Sequence, residues 1–171
     1  MKRVGIIFGS TTGNTAKVAS MIAERLGSQA IVHDIIDKEL DGLDDYDICL
    51  FGIPTWDFGE LQEDWADIWD SVKVLALPGK PCALFGLGDQ IGYGEWFLDA
   101  MGLLHAELSR AGADLAGYWP IDGYDFEASK ALTQDGSHFV GLALDEDSQS
   151  SETEARIDQW LDQLKRDFEM S

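Results

Sequence analysis

Basic residues are scarce in this sequence. Lysine and arginine number 12 against 32 aspartates and glutamates, which gives a formal net charge of −20 and a pI near 4.1. Such a surface repels nucleic acid and anionic membrane, because the phosphate attraction that drives that binding has the wrong sign. It suits basic protein partners and can steer them to a docking site. It also suits simple solubility or a salt-adapted source. Cysteine is nearly absent. Cys49 and Cys82 each sit inside an apolar run, where cysteine acts as a small hydrophobe, and two thiols cannot by themselves ligate an iron–sulfur cluster or structural zinc. His33, His105 and His138 are scattered without ligand spacing. No apolar run approaches the roughly 20 residues of a membrane span. Polar residues from Ser10 onward leave no room for an apolar secretion-signal core behind Met1-Lys2-Arg3, so a cytoplasmic location is expected. No internal repeat, linker or low-complexity segment divides the chain, and 171 residues fit one domain, 1–171.

Apolar runs and helical periods alternate along the chain. Val4 to Phe8 reads as a first strand. Val18, Ile22 and Leu26 mark a helix that Gly27 ends. Ile31 to Asp34 is a second strand and Tyr46 to Ile53 a third, stopped by Pro54. The third is almost continuously apolar, as in a parallel sheet covered on both faces. Trp65, Ile68, Trp69 and Val72 predict an amphipathic helix whose other face carries Glu63, Asp64, Asp67 and Asp70. Cys82 to Leu87 is a fourth strand, followed by a helix through Phe97, Met101, Leu104 and Leu108. Leu115 to Trp119 and Phe139 to Leu144 read as two parts of a fifth strand, separated by a loop that demands a reason. Ser151 and Glu154 have capping-box spacing ahead of a last helix through Ile157, Trp160, Leu161, Leu164 and Phe168. This order predicts a doubly wound α/β sheet.

The stretch Gly9-Ser10-Thr11-Thr12-Gly13-Asn14-Thr15 joins the first strand to the first helix. A turn there aims backbone N–H groups and a helix dipole at one point, which suits a phosphate. Its side chains are neutral donors, fit for a bound monophosphate. The spacing is wrong for a nucleoside-triphosphate loop, and Asn14 stands where lysine is wanted. Gly86-Leu87-Gly88 begins a dinucleotide pattern that Ile91 breaks. The stretch equally suits a turn in which Ser or Thr merely caps the helix. In open α/β sheets ligands bind at the carboxyl ends of the strands. The loops there are Ser10 to Thr15, Pro54-Thr55-Trp56-Asp57-Phe58-Gly59, and Gly88-Asp89-Gln90-Ile91-Gly92-Tyr93-Gly94. Trp56 and Tyr93 could sandwich a flat ring; singly, each also suits packing at the rim.

At these residues the chain resembles the flavodoxins. Ile6 to Thr15 is similar to the family's phosphate-loop signature, and Pro54-Thr55-Trp56 and Gly88 to Tyr93 to its two flavin loops. The resemblance continues through Asp122-Gly123-Tyr124 and Phe139 to Asp147. It implies a flavodoxin-like doubly wound five-stranded parallel sheet in the order 2-1-3-4-5, with helices on both faces. The interruption of the fifth strand then looks like the insertion of long-chain members. Trp56-Asp57-Phe58-Gly59-Glu60 with Gly94-Glu95-Trp96-Phe97-Leu98-Asp99 looks most like the second, flavodoxin B, type of enteric bacteria.

The resemblance implies non-covalent FMN cycling through semiquinone and hydroquinone as a low-potential electron carrier with no substrate chemistry. It implies that Ser10, Thr11, Thr12, Gly13, Asn14 and Thr15 hold the phosphate. Trp56 and Tyr93 flank the isoalloxazine, with Pro54, Thr55, Gly59, Gly88, Trp96 and Asp99 around them. The Asp57–Phe58 peptide turns its carbonyl toward flavin N5. Asp89 binds the pyrimidine edge or ribityl chain, and Asp147 the ribityl region. Expected partners are basic-faced redox proteins, such as a ferredoxin/flavodoxin-NADP reductase and acceptor enzymes. They would dock on a monomer at Glu60, Glu63, Asp64 and Asp67. An FMN-dependent NAD(P)H:quinone reductase on the same fold is the alternative. A signalling receiver domain is set aside, because Gly9-Ser10 and Ile53-Pro54 stand where it needs its acidic pair and phosphorylatable aspartate.

Overall fold

The computed structural model describes residues 1–170. Its chain order is β1 (Val4–Phe8), α1 (Asn14–Leu26), β2 (Ala30–Asp34), α2 (Ile35–Lys38), β3 (Ile48–Trp56), β4 (Glu60–Leu61), α3 (Glu63–Asp67), α4 (Trp69–Val72), β5 (Pro81–Leu87), α5 (Asp99–Arg110), β6 (Asp114–Leu115), β7 (Trp119–Pro120), β8 (His138–Phe139), β9 (Leu142–Leu144) and α6 (Thr153–Asp167). The strands β2-β1-β3-β5 are parallel neighbours. The last position is shared by β6, against Pro81 and Cys82, and β9, against Phe85 to Leu87. Counted with β6 and β9 as one interrupted strand, and β4 as a hairpin off β3, the order is the expected 2-1-3-4-5.

Continuous hydrophobicity in β1, β3 and β5 has the expected consequence: every residue from Val4 to Phe8 and from Cys82 to Leu87 is buried. One core lies on the side of α3, α4 and α5 and includes Phe51, Trp65, Phe97 and Met101. The other lies under α1 and α6 and includes Ile22, Phe85 and Trp160. Cys49 and Cys82 face each other in register on β3 and β5, free and fully buried. The insertion returns as the antiparallel pair β7–β8. Tyr124 fastens it: its hydroxyl donates to the Ala143 carbonyl at 2.5 Å, accepts from Trp119 Nε1 at 2.9 Å, and its ring carries the Arg156 guanidinium 4.2 Å from the centroid. The insertion passes so close to α5 that a side-chain Cβ at Gly102 would collide with the Lys130 carbonyl.

Three local expectations are corrected. Pro54 does not stop β3. The proline has no N–H to give, but it stands at the end of the β5 pairing, opposite Leu87, and the strand runs on through Thr55 and Trp56 by pairing with β4. The helix drawn through Trp65 and Val72 is two short helices parted at Ile68, whose φ of −108° and ψ of 11° break the regular turn. Ser151 is not the cap of α6. It lies in a 3-10 turn over Ser150–Glu152, and the helix starts at Thr153 with no side-chain cap. Glu154 instead reaches Arg25 at 3.5 Å.

Candidate functional site

β1 delivers the chain to the cleft and α1 receives it. Gly13 occupies the position before α1 with φ 95°, and no side chain caps the helix. The alternative of a Ser or Thr that merely caps α1 is therefore not what the chain adopts. The first-turn N–H groups, which have no partner within a helix, stay available to a ligand at the positive end of the dipole. The Ser10 hydroxyl accepts from the Gly13 N–H at 3.2 Å, and the Thr11 hydroxyl from Gln62 Nε2 at 2.9 Å.

The second wall is the β3–β4 hairpin. Its three-residue tip has Asp57 at φ 44° and Gly59 at φ 85°. An added Cβ at Gly59 would stand 2.8 Å from Asp99 Oδ2, so the carboxylate of Asp99 backs the hairpin. Asp99 is 2% exposed. Burial pushes its carboxyl above the ordinary range, an effect the Lys130 N–H and charge partly oppose. Phe58 is 64% exposed and packs edge-on against Trp96 at 5.0 Å and Tyr93 at 6.1 Å between centroids.

The third wall follows β5. Asp89 Oδ1 accepts the N–H groups of Ile91 and Gly92 at 3.1 and 2.8 Å, which folds the loop back. The buried Gln90 ties it to Asp145 by N–H and Nε2 contacts of 3.0 and 2.9 Å. Burial favours the protonated form of Asp145, but hydrogen bonds from Ser148 and Gln90 outweigh it and hold the carboxyl below its usual value. Asp147 moves the other way, raised by burial and then by the charges of Asp89, Asp145 and Glu146.

Together these loops enclose about 350 Å³, within the range of small-molecule sites, roughly 300–1,000 Å³. Of the residues singled out in the sequence, Ser10, Thr11, Thr12, Asn14, Thr15, Pro54, Thr55, Trp56, Asp57, Gly88, Asp89, Tyr93 and Asp147 line it. Gly13, Phe58, Gly59, Trp96 and Asp99 do not line it. Gly13 shapes the turn, Phe58 and Gly59 belong to the hairpin tip, and Trp96 and Asp99 pack against it. Leu87 and Glu146 line it unforeseen. Leu87 closes a strand at its carboxyl end, a signal the sequence did carry. Glu146 depends on tertiary contacts with Lys17, at 3.7 Å, and with the Thr153 hydroxyl.

The Flavodoxin family model matches residues 6–160. The chain belongs to the flavodoxin family. Among flavodoxins it is 47% identical to flavodoxin 2 of Escherichia coli K12 over 162 residues, covering 94% of each chain. It is 44% identical to a flavodoxin of Synechococcus elongatus, covering 98% of this chain and 99% of that one. The Fusobacterium nucleatum flavodoxin, solved bound to flavin mononucleotide, superposes with a TM-score of 0.90 at 26% identity, covering 98% of this chain and 99% of that one. The flavodoxin order of strands and the insertion ahead of the final strand are both present here. Among the described residues no helix is long and apolar enough to cross a membrane.

Proposed function

We propose that this flavodoxin is a low-potential one-electron carrier that holds FMN non-covalently in the cleft and moves electrons from a reductase to acceptor redox enzymes. The convergence of an uncapped helix N-terminus with Trp56 and Tyr93 in one cleft carries this reading. The donors fit the group: hydroxyls and backbone N–H groups suit a phosphate, and aromatic side chains from two loops suit a flat ring. Bound FMN supplies the electron chemistry.

The chain's own residues do the rest. Ser10 to Thr15 bind the phosphate with neutral donors. Trp56 and Tyr93 flank the ring and exclude water from it. Pro54, Thr55, Gly88 and Asp89 fix its edge, and Asp147 meets the ribityl region. The Asp57 carbonyl, on a hairpin tip already at positive φ, would accept a hydrogen bond from the ring's N5–H. Asp57, Asp89, Glu146 and Asp147 surround the site with carboxylates. Like charge and low dielectric disfavour added negative charge on the ring, which makes a strong reductant. Basic-faced partners dock on a monomer at Glu60, Glu63, Asp64 and Asp67, in the cytoplasm.

The test is an absorption spectrum during anaerobic stepwise reduction of the purified protein. Two separate one-electron steps are expected. A single two-electron step, or NAD(P)H turnover without an added reductase, would overturn the carrier. A colourless protein that takes up no FMN would overturn the cleft assignment itself.

A further inference from the structure

Gln62 is a fully buried amide that lies behind the cleft wall and does not itself line the cleft. Both of its N–H directions and one lone pair of its oxygen are taken. Its Oε1 accepts the Trp65 N–H at 3.3 Å. Its Nε2 donates to Asp64 Oδ2 at 2.9 Å and to Thr11 Oγ1 at 2.9 Å. The two Nε2 partners decide which way the amide points: the carboxylate of Asp64 can only accept, so the nitrogen faces Asp64 and Thr11. Trp65 in turn is anchored by its indole N–H on the Gly52 carbonyl at 3.1 Å. The amide therefore cannot flip without losing its bonds to Asp64 and to the Trp65 N–H.

A hydroxyl has one hydrogen and two lone pairs. With a lone pair of Thr11 occupied by Gln62, its hydrogen must point elsewhere, and Thr11 is exposed on the cleft side. Ser10 shows the same arrangement, its oxygen accepting from the Gly13 N–H. We propose that Gln62 is a positioning residue for phosphate recognition: by donating to Thr11 Oγ1 it commits that hydroxyl to act as a donor toward the ligand phosphate. The loop has no cation, so its selectivity depends on neutral groups being locked as donors before the ligand arrives. Preorganised donors lose less on binding than free rotors do. The inference rests on the assignment of residues 10–15 to the FMN phosphate.

The test compares FMN with riboflavin, which lacks the phosphate, by fluorescence titration of the apoprotein. The wild type is expected to prefer FMN strongly. Gln62→Met lowers that preference roughly 10-fold, the scale of one hydrogen bond to a charged group, and leaves riboflavin affinity unchanged. Thr11→Val does the same, and the double variant Gln62→Met/Thr11→Val loses no more than Thr11→Val alone. Equal loss of both ligands in Gln62→Met, or losses that add in the double variant, would overturn the role of Gln62 and mark it as packing only. A wild type with no preference for FMN would instead overturn the phosphate assignment beneath it. If Gln62→Met does not fold, Gln62→Glu keeps the shape and, in alkaline buffer, offers Thr11 an acceptor. It must then lower the preference at least as far as Thr11→Val does, and an intact preference would overturn the proposal.

Discussion

Asp99 Oδ1 accepts the backbone N–H of Lys130 at 2.7 Å, across 31 positions of sequence. The bond joins the first residue of α5, which backs the hairpin at Gly59, to the insertion. The Asp99 carboxyl is raised, chiefly by burial, so the native state holds its proton more tightly than the unfolded chain does. Stability therefore falls as pH rises from the unfolded carboxylate value through the raised native one. Asp99→Asn keeps an acceptor for Lys130 without the charge. Urea unfolding of the apoprotein is expected to show the variant gaining on the wild type across that window and holding the gain at neutral pH. A constant difference at every pH would remove Asp99 as the titrating group.

Trp56 lines the cleft from the end of β3. Trp56→Ala removes an aromatic face from the ligand ring. FMN dissociation constants are expected to rise roughly 10- to 100-fold, from lost stacking and lost apolar contact. Fluorescence titration of the apoprotein measures this, and unchanged affinity would argue against the sandwich.

Asp57 is exposed at the hairpin tip. Asp57→Asn removes one negative charge beside the ring. The lower of the two one-electron potentials of bound FMN is expected to rise by a few tens of millivolts, about what one solvent-screened charge supplies. Spectroelectrochemistry reads this, and a lower or unmoved potential contradicts it.

His105 meets the Tyr118 hydroxyl at 2.7 Å, and burial lowers its pKa. The unfolded chain then takes up a proton that the native state refuses. The contribution of His105 is undiminished above about pH 6.5 and is lost as pH falls from there toward the lowered native value. His105→Gln is expected to lose less stability than the wild type between pH 7 and the acid end of that window. Parallel pH curves from thermal melts would exclude the effect.

Glu60, Glu63 and Asp67 lie exposed beside the hairpin, while Asp64 is half-buried and engaged with Gln62. Transfer rates to a basic-faced partner are expected to fall steeply with added salt. The fall should be shallower in Glu63→Gln/Asp67→Asn. Stopped-flow kinetics across ionic strength separates docking charges from charges that are only solvated.

Much of this arrangement was legible in the sequence because it depends on local chemistry. The continuous runs in β1, β3 and β5 announced a doubly covered sheet, and the loops after them announced the cleft. What escaped depends on partners far along the chain. The period of Trp65, Ile68 and Val72 shows correctly which side chains turn inward, since all three are buried. It cannot show that at Ile68 the backbone N–H turns to the Trp65 carbonyl, three residues back, and interrupts the regular helix. Ser151 and Glu154 have the spacing of a cap, but Arg25 draws Glu154 away. Glu146 enters the cleft because Lys17 and Thr153 hold it there, and Gln62 gives no sequence signal at all of the hydroxyl it faces.

The divided strand at the sheet's margin has a consequence for life in a crowded solution. A long apolar strand at an open edge is a template on which other chains can pair and aggregate. Here that edge is broken into Asp114–Leu115 and Leu142–Leu144, each too short to seed a run of intermolecular bonds. The detour between them, pinned by Tyr124, keeps that margin in two short pieces and denies another chain a long strand to pair with.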